Sequence, residues 1–106
     1  MAERTIDIKT DFAKFYQAAK KQFPVKELLL YGSYARGQAT KDSDIDMAVV
    51  MDRVSEKSKM EITIALYRIA AKINPIIEPK CIYWDEYINP EPASILAEII
   101  RTAVKV

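Results

Sequence analysis

Two aspartates one residue apart, Asp44 and Asp46, stand at the head of an apolar run that continues to Met51. On a strand, residues i and i+2 project from one face about 6.6 Å apart. The two carboxylates would then lie side by side where the strand begins. Like charges that close repel one another. A hard cation between them relieves the repulsion, and magnesium, which takes oxygen and water ligands, suits such a pair. The same spacing also fits a solvated acidic loop running into a strand, so spacing alone leaves both readings open.

A second feature lies just upstream. The chain has two glycines, Gly32 and Gly37, and both fall in the stretch LLLYGSYARGQATKDSDIDMAVVM that spans Leu28 to Met51. A strand followed by Gly32-Ser33 at the opening of a helical turn offers free backbone N–H groups to an anion. Gly32 lets a phosphate approach the backbone, and Ser33 adds a hydroxyl donor. Arg36 is placed either to contact phosphate or to lie on the surface. The structural alternative is a tight strand-to-helix turn with Ser33 as its N-cap. Two familiar motifs come close and fail. Gly32-x4-Gly37 opens like a P-loop, but Gln38 and Ala39 stand where lysine and serine or threonine are needed. Asp42, Asp44 and Asp46 mimic three EF-hand ligands, but Met47 replaces the required glycine and Arg53 the bidentate glutamate.

Composition narrows the chemistry further. At 106 residues the chain reads as one domain, residues 1–106, large enough for a core without staples. The net charge of +1 gives no strong field toward nucleic acid or a membrane surface. Direct nucleic-acid binding is therefore not expected. The absence of histidine excludes a Ser–His triad, a Cys–His pair and any His-ligated zinc. Catalysis must use carboxylates, lysines, hydroxyls and backbone. The lone Cys81 cannot close an internal disulfide, no apolar run reaches the ~18–20 residues of a membrane span, and MAERTIDIKT lacks a signal h-region. These features point to the cytoplasm.

The elements that must position the aspartates follow from periodicity. Asp7 to Phe23 reads as a helix with Ile8, Phe12, Phe15, Tyr16, Ala19 and Phe23 on one face, stopped by Pro24. Leu28 to Tyr31 is a short strand buried on both faces. Ser33 to Gly37 fits a short helical turn, and Gln38 to Ser43 a loop. Asp44 to Met51 is the second strand. Ser55 or Ser58 caps a helix reaching Ile73, with Ile62, Leu66, Ile69 and Ile73 as its buried stripe, ended by Asn74-Pro75. Ile76 to Trp84 is a third strand, in which Pro79 argues for an edge position or an early irregularity. A last helix begins near Asn89 to Pro92, with Ile95, Leu96, Ile99, Ile100 and Ala103 as its apolar face. The expected fold is α/β (α+β): a small mixed three-stranded sheet with helices packed on it.

The order Gly32-Ser33-Tyr34-Ala35-Arg36-Gly37 and then Ser43-Asp44-Ile45-Asp46 resembles the GSxARG…SDxD signature of the DNA polymerase beta-type nucleotidyltransferase superfamily. The helix and strand order over the whole chain agrees with it. The brevity resembles the minimal nucleotidyltransferases, which are often encoded beside HEPN-domain proteins as toxin–antitoxin pairs. The resemblance implies a third carboxylate on the next strand, which by position is Glu78; Asp85 lies past that strand. It implies a two-metal mechanism with Mg2+ (or Mn2+), in which Asp44, Asp46 and Glu78 hold the ions. Glu78 would bind nearer the acceptor hydroxyl and take its proton, while Gly32, Ser33 and Arg36 meet the phosphates of a nucleoside triphosphate, ATP.

Two functions are therefore expected in turn. The first is transfer of a nucleoside monophosphate to a hydroxyl, by family analogy a tyrosine of a HEPN toxin, within a homo- or hetero-oligomer. The second is a binding module that neutralises its partner by contact, with the C-terminal helix or Tyr83-Trp84 as the interface.

Overall fold

The computed structural model describes residues 2–32, 37 and 44–105, with side chains from Lys9 onward. All but Gly37 of the expected turn at Ser33 to Gly37, and the whole expected loop from Gln38 to Ser43, lie outside the described residues. The elements are α1 (Ala2–Gln22), β1 (Val25–Tyr31), β2 (Ile45–Met51), α2 (Lys59–Ile73), β3 (Ile77–Tyr83), α3 (Trp84–Ile88), α4 (Ile95–Thr102) and β4 (Val104–Lys105). No helix among the described residues is long and apolar enough to cross a membrane.

The four strands form one mixed sheet in the order β3-β2-β1-β4. β1 runs antiparallel to β2 and to β4, and β2 runs parallel to β3. The class matches the sequence expectation, with one strand more than expected. β4 is two residues long and exists through its pairing with Leu29 and Leu30. Such a strand carries no periodic signal of its own. Pro79 does fall on an edge strand, where a missing N–H deprives no neighbour of a bond.

Register sorts the side chains onto two faces, because directly paired residues project to the same side. Leu28 opposite Val49, Leu30 opposite Met47, and Ile45 beside Ile77 define one face. That face packs in one cluster with Phe12, Phe15 and Ala19 of α1 and Ile62, Leu66 and Ile69 of α2. The other face carries Leu29, Ala48, Val50 and Ile82, all buried, with Trp84, Tyr87, Leu96 and Ala103 against them. Both sides of β2 are therefore covered, as its uninterrupted apolar pattern requires.

Two caps fix where α2 begins and ends. Ser58 Oγ accepts from the Glu61 N–H at 3.1 Å, while Glu61 Oε1 accepts from the Ser58 N–H at 2.8 Å. This reciprocal pair satisfies two orphan donors of the first turn and selects Ser58 over Ser55. At the other end Asn74 donates its N–H to the Ala70 carbonyl at 2.8 Å. The Asn74 side chain donates to Asp11 at 2.8 Å and accepts from the Ile76 N–H at 3.2 Å. It thus ties α1 to the turn that feeds β3, just before Glu78.

Other departures are local. α1 begins at Ala2, earlier than Asp7. α3 was not expected; Tyr83 donates its N–H to Glu86 at 2.9 Å and so closes the first turn of a five-residue helix. α4 starts only at Ile95, behind an N-cap from Ser94 Oγ to the Ala97 N–H. Ile95 is not on the packed face: it is 79% exposed, and Ile99 is the buried residue of that helix. Tyr83 is buried, so it is not available as an interface residue.

Candidate active site

Three strand ends meet at one end of the sheet. β1 leaves through Tyr31 and Gly32, while β2 and β3, being parallel, both enter there. Tyr31 pairs with Asp46, and Asp46 pairs with Glu78. These three side chains therefore share the face opposite α1 and α2. Asp44 lies one residue before β2 and is exposed, slightly outside the strand expected for it. Its i−2 relation to Asp46 nonetheless keeps both carboxylates at the same strand head.

Glu78 and Asp44 share a hydrogen bond, and this bond is the largest cause of a Glu78 carboxyl raised above the usual range. Partial burial and the charges of Asp44 and Asp46 add to it. A hard cation among these carboxylates would remove the like-charge repulsion that raises Glu78. The donor set is all oxygen, as magnesium prefers. Among the described residues, no three Asp, Glu or Cys side chains form a ready-made cluster for one ion. Glu78 lies within electrostatic reach of both Asp44 and Asp46.

Gly32 is explained twice over. Its φ is +76°, the left-handed region that glycine enters without steric cost. A Cβ at Gly32 would also collide with Oδ2 of Asp46 and sit 3.1 Å from its Cγ. The backbone turn and the second aspartate are thus packed against each other. The sequence suggested that Gly32 admits a phosphate; the group that occupies its open side here is a carboxylate. Gly37 also has a positive φ, +70°, but nothing lies within 4 Å of the position a Cβ would take. Ser33 and Arg36 lie outside the described residues.

Two tyrosines join the site that residue spacing did not reveal. Tyr31 has its hydroxyl pushed up to about 12 by burial, then by the charges of Asp46 and Glu78. Tyr67 on α2 is also raised, by burial first and then by Glu78, Asp44 and Asp46. Both line a groove of about 330 Å3 with Lys59, Thr63, Glu78 and Lys80. A cross-strand position beside a carboxylate could have flagged Tyr31 once register was known. Tyr67 comes from a different element, and only the tertiary fold brings it near.

Asp85 is drawn elsewhere. Arg53 donates to both its oxygens at 2.9 Å, and this bond holds the Asp85 carboxyl below its usual range. It lies in the first turn of α3, paired with Arg53, and not in the carboxylate group. Cys81 is a free, buried thiol raised to about 11, mainly by burial, which makes it unreactive.

Comparison with known proteins agrees with this architecture. Residues 13–105 match the family described as "Nucleotidyltransferase domain". A protein of Methanocaldococcus jannaschii named "Putative protein adenylyltransferase" is 44% identical over 46 residues, which cover 43% of this chain and 46% of that one. The first match therefore spans just under half of that relative's length. A second protein of the same organism and the same description is 36% identical over 67 residues, covering 61% of this chain and 67% of its own. Among solved structures, one described as a "putative nucleotidyltransferase" from Sulfolobus solfataricus aligns with a TM-score of 0.58. It is 17% identical and covers 93% of this chain and 84% of its own, a likeness of fold.

Proposed function

Because the chain belongs to the nucleotidyltransferase domain family, we propose that it transfers AMP from ATP to a hydroxyl acceptor in a metal-dependent reaction. The acceptor we propose is a tyrosine of a partner HEPN-domain toxin, which the transfer would silence in the manner of an antitoxin. One observation carries this reading: Glu78 lies close enough to Asp44 and Asp46 for both to raise its carboxyl above the usual range, and Asp46 is packed against the left-handed turn at Gly32. Carboxylates crowded at this cost in repulsion, next to backbone amides, form two halves of a site for a metal-bound phosphate chain. The names of the Methanocaldococcus relatives support adenylate as the group moved.

Asp44, Asp46 and Glu78 would hold the magnesium or manganese ions. When bound, such ions supply charge to the α-phosphate and acidify the acceptor hydroxyl. Glu78 takes the proton of the acceptor, since the chain has no histidine to do so. The amide of Gly32 orients the phosphate tail, and Ser33 and Arg36 extend that contact. Tyr31 walls the site from the sheet side.

The test is direct. Incubating the chain with the HEPN-domain protein, ATP and magnesium should add adenylate mass to a tyrosine of the partner. A partner that gains no nucleotide in either magnesium or manganese overturns the reading.

A further inference from the structure

The groove beside the carboxylates already contains a phenol. Tyr67 lies on α2, 45% exposed, and lines one groove with Glu78, Lys59 and Lys80. The side chain stands on an exposed helix face, where rotamer change is unhindered by core packing. Glu78 is also the residue assigned above to the acceptor's proton. Sharing this groove with Glu78 puts Tyr67 on the acceptor side of the site. Tyr31 lines the same groove but is half-buried on the sheet, whereas Tyr67 is exposed.

We propose that Tyr67 is itself an acceptor, so that without a partner the chain transfers a nucleotidyl group to its own Tyr67. This rests on the reading above and adds a modification site to it. The Oη of Tyr67 forms a bond to the α-phosphorus of ATP, and the bond from that phosphorus to the bridging oxygen breaks. Pyrophosphate leaves with the electron pair, and the phenolic proton passes to the carboxylate of Glu78. The product is a phosphodiester between Tyr67 and adenosine, seated in the groove that an outside acceptor must enter. Lys59 and Lys80 line that groove and would face the anionic adduct.

Intact mass spectrometry of the whole chain with ATP and manganese, with no partner added, tests this. One adenylate should appear, and digestion after lysine and arginine should place it on Met60–Arg68, whose single tyrosine is Tyr67. Tyr67→Phe should abolish the adduct, and so should Asp44→Asn, which removes a proposed metal ligand without touching the phenol. An adduct that persists in Tyr67→Phe, or that maps to another peptide, overturns the inference. Wild-type chain that modifies its partner but carries nothing on Tyr67 also overturns it, and leaves the proposed function standing. Wild-type chain that modifies neither overturns both.

Discussion

The two faces of the sheet obey different rules. The face under α1 and α2 is apolar from end to end: Phe15, Met47, Val49, Ile62 and Leu66 are each 0% exposed. The opposite face begins the same way, with Ala48 and Val50 also at 0%, but changes character toward its open end. There Asp46 and Glu78 succeed the apolar pairs on the same strands and in the same register. No polar or charged residue is fully buried among the described residues. Like charges are thus gathered where the cover of α3 and α4 runs out, and water remains to solvate them. Burying them under a long helix would cost several kcal/mol per ion. The lesson is that one face supplies stability and the other trades it for charge.

The sharpest way to test that contrast is to neutralise the charged end. Asp44→Asn should lower transfer to the acceptor about a thousandfold, ~4 kcal/mol of transition-state stabilisation. Its melting temperature in chelator should stay level or rise, because the charge that acts on Glu78 is gone. A strongly destabilised variant would make Asp44 structural. Neutralisation of a partner that survives the substitution would favour a module that acts by contact.

Core truncations probe the difference between the faces. Leu66→Ala on the helix-covered side and Leu29→Ala on the other should each cost roughly 2–5 kcal/mol. Leu66 should lie toward the top of that range, since it is fully enclosed by the larger cluster. Leu29 belongs to a cluster of four buried residues beside a short helix, where neighbours collapse more easily. Chemical denaturation that gives Leu29→Ala the larger loss would reverse the ranking of the two faces.

Much of this was legible in the sequence, for reasons that differ by residue. The closeness of Asp44 and Asp46 was readable from their two-residue spacing, although β2 begins only at Ile45 and strand periodicity fixes Asp46 alone. The edge position of β3 followed from Pro79, a residue that a central strand tolerates poorly. α3 escaped because five residues give no helical period, and its stop-start signal is one backbone bond to Glu86. Ile95 was misplaced because α4 starts at it, and the first residue of a helix has no preceding turn to bury it. Asn74 read as a helix stop, while its bond to Asp11 depends on a contact 63 residues away in the chain. Tyr31 and Tyr67 reach the carboxylates only through pairing and helix placement, which no local pattern carries.

Gly32 tests whether the turn and the charged end form one unit. Gly32→Ala should cost about 1–2 kcal/mol for the left-handed backbone alone, with a further loss from the collision with Asp46. Pairing it with Asp46→Ala should recover the collision part and leave the backbone part. Additive losses in that double-mutant cycle would mean that Asp46 and Gly32 do not touch.

The smallest expected effect separates the faces by titration. Cys81, on the helix-covered side, has its thiol raised from 9.0 to about 11, and Tyr31, beside the carboxylates, its hydroxyl from 10.0 to about 12. Both pKa values are higher in the folded chain. The stability each contributes is therefore complete below the unfolded value and is lost as pH rises through the folded one. Cys81→Ala should flatten the stability curve between pH 9 and 11, by about 1 kcal/mol or less at pH 10. Tyr31→Phe should flatten it only above pH 10. The cause differs too: burial dominates both, but Asp46 and Glu78 add to Tyr31 alone. Divalent cations that screen those carboxylates should therefore shrink the Tyr31 limb and leave the Cys81 limb in place. Denaturation across pH with and without magnesium reads both at once, and a Tyr31 limb indifferent to the metal would mean that the ion does not bind at Asp46 and Glu78.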